Sequence, residues 1–337
     1  AQYDALSRTY HYMLGKKDEI LDFYKNRNIN PLVFTGCGSS YEISRSTSFS
    51  ASIRLKTKSI AMAAGDIMIN HLDYKNVLEK SLLCVISRSG STSEILNAVD
   101  IVKQNYGASV LSIVCANNTS LAKKSDLVLE MPWAFDESVC QTRTVTNLYT
   151  ANLMLIAFLS DDNKLLDDIG RAIAMGNRFI EQWAKKIEAA SCGNWDNAVI
   201  LADGEIHGLS QEGALAFKEI CNTHSNYYHV LDVRHGPMVR IDEKTFVIVA
   251  FSSREYSYQK DLVDDLIKSG ATVIVYSPEE IEPIDHVALH VHSSAAFDPA
   301  VMGIHFIFIC QIASLTHASV TGIDPDNPEN LSPWIEL

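Results

Sequence analysis

The sequence predicts an α/β protein of two tandem domains, each a doubly wound parallel sheet, from three observations: an ordered internal repeat, short buried strands, and helices alternating with them. At 337 residues the chain suits two domains better than one. Three segments recur in the same order. NPLVFTGCGSSYEISRS has its counterpart in NAVILADGEIHGLSQEGALAFKEI, SLLCVISRSGSTSEILNAVDIVK in TFVIVAFSSREYSYQKDLVDDLIK, and GASVLSIVCANNTSLAKKSDLVLEMP in GATVIVYSPEEIEPIDHVALHVH. Within them VFTGC, LLCVIS, SVLSIVC, AVILAD, FVIVAF and TVIVYS are apolar runs rich in β-branched residues, as strands covered on both faces require. The expected organisation is an N-terminal helix (1–28), a first domain (29–162), a connecting helix (163–194), a second domain (195–325) and a C-terminal tail (326–337).

A net charge of -13 argues against a nucleic-acid backbone as partner, since phosphate contacts along a strand need clustered Lys and Arg. It leaves room for a small phosphate ligand held by backbone N–H groups. The seven cysteines (Cys37, Cys84, Cys115, Cys140, Cys192, Cys221, Cys310) lack CxxC spacing and fall mostly in apolar runs, so reduced, buried thiols are expected. The first twenty residues read as a charged amphipathic helix rather than a signal peptide, and no run reaches ~18 consecutive apolar residues. A cytoplasmic protein with no membrane partner follows as the expectation.

In a doubly wound sheet, ligands bind beyond the carboxyl ends of the strands. Ser87-Arg88-Ser89-Gly90-Ser91-Thr92-Ser93-Glu94 follows a buried strand and opens a helix. Free N–H groups, a helix dipole and several hydroxyls make a phosphate cradle that needs no lysine. Ser91 and Glu94 have capping-box spacing, as do Ser39 and Glu42 in the loop Thr35-Gly36-Cys37-Gly38-Ser39-Ser40-Tyr41-Glu42, so an ordinary Ser-rich helix cap is the competing reading. A dinucleotide fingerprint fits poorly: Tyr41 stands at the third glycine position, and Asp66 lies farther on than the usual ~20 residues. The second copies read Ala202-Asp203-Gly204-Glu205 and Ser252-Ser253-Arg254-Glu255; acids there disfavour phosphate, so the pocket belongs to the first domain, with residues lent by the second.

Aldose-ketose chemistry needs a base to move a proton between C1 and C2 and a second group to open the ring. The best pair by position is Glu219, ending the helix EGALAFKEI in an apolar region, and His235, before Gly-Pro in VRHGPM. A solvated glutamate and a turn-stabilising histidine are the plainer readings of the two. Glu137–Arg143, ahead of a long apolar helix, could line the sugar end. No cluster of histidines has metal-ligand spacing, and His290 and His292 share one strand face without evident companions, so no metal or other cofactor is expected.

GCGSSYE, SRSGSTSE, ESVCQTRTVTN, QEGALAFKEI and VRHGPM occur in the order found in tandem sugar isomerase (SIS) domain proteins, whose domains are flavodoxin-like. The chain resembles the isomerase half of glucosamine-fructose-6-phosphate aminotransferase, second-type glucosamine-6-phosphate deaminases and fructosamine-6-phosphate deglycases. The resemblance implies phosphate contacts from Ser87, Ser89 and Thr92, and sugar contacts from Ser39 and Ser40. It also implies a ring border from Val139 and Gln141, proton transfer by Glu219 and ring opening by His235. A homodimer with a shared active site is implied too, the histidine reaching a neighbouring subunit's pocket. Two departures matter. No glutaminase domain is seen, and Pro333, in Asn330-Leu331-Ser332-Pro333-Trp334, stands where the aminotransferase has its ring-opening lysine. The expected activity is an amino-sugar phosphate isomerase or deaminase; a deglycase, with Arg143, Arg234 and Arg240 as candidates for an amino-acid pocket, and a non-catalytic sugar-phosphate sensor are the alternatives.

Overall fold

The structure is a computed structural model that describes residues 2–27, 29, 31–326 and 328. It forms two compact units, one running to Glu137 and continuing over Gln141–Ile173, the other holding Ser138–Cys140 and the chain from Ala174.

In the first unit, α1 (Gln2–Lys25) leads into β1 (Leu32–Gly36), α2 (Ser39–Arg54), β2 (Ser59–Ala63), α3 (Ala64–Asn70), α4 (Lys75–Leu78) and β3 (Leu82–Ser87). Then follow α5 (Ser93–Tyr106), β4 (Ser109–Val114), α6 (Ser120–Lys124), β5 (Leu127–Glu130) and α7 (Arg143–Ser160). The five strands are all parallel, in the order β2-β1-β3-β4-β5. The long helix α8 (Asn163–Ser191) begins in this unit and ends in the next.

The second unit carries β6 (Asn197–Leu201), α9 (His207–Cys221), β7 (His224–Tyr228), β8 (Thr245–Ala250), α10 (Tyr256–Lys268), β9 (Thr272–Ser277), β10 (Leu289–His292) and α11 (Met302–Thr321). Its sheet is also wholly parallel, ordered β10-β9-β8-β6-β7. Read by position in the repeat, this is the order of the first sheet, so the internal duplication extends to topology.

The six apolar runs became β1, β3, β4, β6, β8 and β9, and all but the first residues of β4, β6 and β9 are buried. Burying each Val or Ile contributes roughly 1.5–3 kcal/mol. Val33, Leu83, Val85 and Val110 pack against Ile95, Val99 and Val102 of α5. In the second unit Val199, Val247, Val249 and Val275 meet Leu262, Val263 and Leu266 of α10. α11 is long and apolar enough to cross a membrane, but it packs against α9 and most of its apolar stretch is buried within the protein.

None of the seven cysteines is in a disulfide. Five are buried, Cys37 is half-buried and Cys192, just past the end of α8, is exposed, a departure from the expectation of buried thiols.

Candidate functional site

In the first sheet the strand order reverses between β1 and β3, which pair in register from Leu32↔Leu82 to Thr35↔Val85. The loop after β1 and the loop after β3 therefore leave the sheet side by side, at the place where an open parallel sheet forms a crevice. Ser39 and Ser40 open α2, Ser87 ends β3, and Ser89 and Thr92 lie in the short connection to α5. Topology thus brings these five predicted residues to one edge of one unit.

The two capping boxes do not form. α2 starts at Ser39 itself, so its cap is Gly38, held at φ 54°, and Ser39 is already inside the helix. α5 starts at Ser93 with Thr92 as its cap, and Ser91 instead bonds back toward the Ser89 carbonyl (3.4 Å). No side chain caps either helix. At α2 the Ser40 and Tyr41 N–H groups donate to the Cys37 and Gly38 carbonyls (3.2 and 2.8 Å), so what the two adjacent helix N-termini share is the lack of a side-chain cap, which leaves their positive dipole ends uncompensated by a side chain and favours an anion.

The hydroxyls are oriented by the loop. Ser87 Oγ accepts the Gly90 N–H (2.9 Å) and Ser89 Oγ accepts the Ser91 N–H (3.2 Å), so each hydroxyl keeps its own proton to donate. Ser39, Ser40 and Ser87 are only 3–4 % exposed, whereas Ser89 and Thr92 are half-buried. Gly90 is held at φ 61°, and a Cβ there would stand 2.5 Å from Thr119 Oγ1; no other residue fits that turn.

The loop's one cation is turned inward. Arg88 is 5 % exposed, with its guanidinium 5.8 Å from the centre of the Phe135 ring. The neighbouring segment is tied down by Asp136. Its Oδ2 accepts the N–H groups of Thr142 and Thr144 (both 2.8 Å), its own N–H donates to Thr144 Oγ1 (3.0 Å), and Arg143 Nε lies 3.8 Å from Oδ1. Asp136 therefore caps α7 from a distance and closes a loop that contains Val139 and Gln141. Both are half-buried, and Gln141 Oε1 is shielded from solvent without a hydrogen-bond partner.

The sequence offers no functional signal at Cys37 and marks Glu94 only by its capping-box spacing. Glu94 Oε2 is shielded and lacks a hydrogen-bond partner. Burial, reinforced by the Glu94 charge and partly offset by the Gly65 N–H, pushes the Cys37 thiol up to about 12. Glu94 was read only as a cap residue, and its failure to cap is what marks it.

At the equivalent place in the second unit, between β6 and β8, the loops are held by internal side chains. Gln259, 5 % exposed, accepts the Ser252 N–H (2.8 Å) and donates to the Arg254 carbonyl (2.7 Å). The first loop is closed by Asp203, whose Oδ1 accepts the Val230 N–H (3.2 Å) and lies 2.8 Å from His229 Nδ1; His229 in turn stacks on His207 at 3.7 Å. Glu219 and His235 lie elsewhere in this unit. Glu219 is half-buried near the end of α9, which runs from the carboxyl toward the amino ends of the strands. His235 is exposed in the β7 to β8 connection, its N–H donating to the Asp232 carbonyl (2.9 Å). The adjacent Arg234 binds Asp265 near the end of α10 (2.6 Å), which carries this connection toward the same amino end.

That ion pair, led by the Arg234 hydrogen bond, holds the Asp265 carboxyl below its usual range. Arg234 and Arg143 are thus engaged by acids, and of the three arginines considered for an extra pocket Arg240 is the exposed one without an ion pair among the described residues. His290, taken from sequence as lacking companions, bonds Ser277 Oγ (2.7 Å), and His292 meets the edge of Trp183. Burial, with a lesser contribution from His292, lowers the His290 pKa. Among the described residues no three His, Cys, Asp or Glu side chains are placed to hold a metal ion. Pro333 and the 330–334 segment lie outside the described residues.

The SIS domain profile matches residues 25–159, the stretch that holds the first sheet and both serine loops. Over 266 residues the chain is 28% identical to the glutamine-fructose-6-phosphate aminotransferase (isomerizing) of Yersinia pseudotuberculosis, covering 76% of this chain and 44% of that protein. It spans less than half the length of the curated relatives it matches. Among solved structures it resembles a glucosamine-6-phosphate deaminase from Thermotoga maritima, with TM-score 0.79, 25% identity, and 98% and 99% of the two chains covered. It shares its fold with the tagatose-6-phosphate ketose/aldose isomerase of Escherichia coli, at TM-score 0.84 and 22% identity over 99% and 95% of the chains. Residues 25–159 therefore match the SIS domain family.

Proposed function

We propose that the protein is a phosphosugar isomerase-type enzyme acting on an amino-sugar phosphate of the glucosamine-6-phosphate kind. One observation carries this reading: two helix N-termini without side-chain caps flank the β1/β3 crevice, with serine hydroxyls set to donate into it. That is a seat for a phosphate monoester rather than for a nucleic acid or a metal. In this reading Ser87, Ser89 and Thr92 hold the phosphate, Ser39 and Ser40 the sugar, and Val139 and Gln141 border the ring. Both units are doubly wound SIS-type domains with limits near 29–162 and 195–325, and the active protein is a homodimer.

Glu219 takes the proton from one of C1 and C2 and returns it to the other through an enediol or enamine, while His235 assists ring opening in the neighbouring subunit's pocket. Hydrolysis of the resulting imine then releases ammonia. The aminotransferase and deaminase relatives handle substrates of this kind. Deamination is preferred over deglycation because two of the three candidate arginines, Arg143 and Arg234, are engaged by Asp136 and Asp265, which leaves Arg240 as the one candidate for an amino-acid carboxylate.

The test is turnover. Glucosamine-6-phosphate in D2O should exchange its C2 hydrogen and release ammonia, and Glu219→Gln should reduce both by 10²-fold or more while binding persists. Release of amino acid from fructosamine-6-phosphates would select the deglycase reading. Binding without exchange or product from either substrate would overturn catalysis and leave a sensor.

A further inference from the structure

The first unit has a second concavity, at the end of α2 opposite the serine loops. It is lined by Pro31 ahead of β1, Ser52 and Leu55 at the end of α2, Lys56, Thr57 and Lys58 in the following turn, Ile60 of β2, and Asn76 and Val77 of α4, and it measures about 750 Å³. Sites for small molecules span about 300–1,000 Å³ and combine apolar walls with a few convergent polar groups. Here Leu55, Ile60 and Val77 supply apolar wall, and Ile60 is 41% exposed at a sheet edge.

The polar groups are donors. Neither Lys56 nor Lys58 has an acid within ion-pair reach among the described residues, although acids outnumber bases 41 to 28 in the chain. The Asn76 amide has no partner there either. The hydroxyls face the other way: Ser52 and Ser59 donate to backbone carbonyls, and Thr57 shares a hydrogen bond with Tyr24. Two uncompensated ammonium groups, an open amide and an apolar wall around one cavity match one ligand chemistry.

We propose that this cavity is a second ligand site, for a small organic anion that carries an apolar body. The charged group sits between Lys56 and Lys58 and the apolar body lies on Leu55, Ile60 and Val77. The inference does not depend on the function proposed for the serine loops: α2 has 16 residues, so its two ends are about 24 Å apart.

The probe is 1-anilinonaphthalene-8-sulfonate, an apolar aromatic with one anionic group, followed by its fluorescence on the full chain. N-phenyl-1-naphthylamine, the same body without the charge, is the comparison. Saturable binding of the sulfonate should be at least ten-fold tighter than that of the neutral amine, and Lys56→Gln with Lys58→Gln should remove that margin. Val77→Arg, which fills the cavity, should abolish binding of both. Thermal melts and far-UV circular dichroism should match the parent in both variants, which separates loss of the site from loss of the fold. Absence of saturable binding, equal affinity for the two probes, or sulfonate binding untouched by either variant would each overturn the proposal.

Discussion

The two crevices, one per unit, share a strand order and differ in what holds their loops. Gly38 and Gly204 both take a positive φ after the first strand of their sheets, 54° and 61°, although the first leads straight into α2 and the second into a short 3-10 turn ahead of α9. Beyond it the copies diverge. Cys37 stands where the second copy has Asp203, and Gly90 where it has Arg254. Ile95, a core residue of α5, stands where the second copy has Gln259. That last exchange matters most. An amide replacing an apolar side chain takes up the Ser252 N–H and the Arg254 carbonyl from within, leaving that much less of the loop for a ligand. In the first copy the loop amides are met by serine hydroxyls that still have a proton to give. A duplicated fold can thus lose a binding site by acquiring one well-placed internal partner.

Four substitutions or measurements test that contrast, the largest effect first. Ser89→Glu puts an acid in the open loop, as the second copy has, and should weaken sugar-phosphate binding by about 100-fold or more in calorimetry, since like charges brought together cost several kcal/mol. Parent-like affinity would mean that the loop is not the phosphate seat. Gly90→Ala forces a Cβ onto Thr119 at a left-handed position and should cost roughly 2–4 kcal/mol in urea unfolding. Gln259→Leu removes the internal partner of the closed loop and should cost about 2 kcal/mol. It should leave phosphosugar affinity unchanged, and a drop would show that the second crevice takes part after all. The smallest effect concerns pH. With its ionisation pushed up to about 12, mainly by burial, Cys37 stays a neutral thiol through pH 7–10, and its thiolate fraction grows only as pH climbs toward that value. Iodoacetamide with mass-spectrometric readout should label exposed Cys192 first, and Cys37 labelling should rise only at the alkaline end.

Much of this fold was legible in the chain because buried parallel strands are continuous apolar runs, and six of the ten strands were read as such. The last segment of each repeat ends, after a loop, on a further short strand, β5 or β10. β2 and β7 escaped because SIAMA and HSNYY are edge strands with four of five residues at least partly exposed, so the first shows only a short run of mostly small or unbranched residues and the second no apolar run at all. The serine loops were legible from composition, but the capping boxes were not formed: spacing fixes which residues could pair, while the helix start, shifted by one residue in each case, decides whether they do. The engagement of Arg234 with Asp265, 31 residues away, and of Asp136 with the start of α7 depends on chain reversals that no local pattern encodes. Gln259 was invisible for the same reason, its partners being the backbone of a loop with no regular geometry.

Arg88 faces Phe135 rather than the crevice. A ligand seated at this loop would meet fixed amide and hydroxyl dipoles instead of a flexible surface cation, and such dipoles, sitting close to the charge they solvate, are poorly shielded by dissolved ions. Capture at this seat should therefore hold nearly constant from dilute buffer to physiological ionic strength, whereas a lysine-lined site would loosen over the same range.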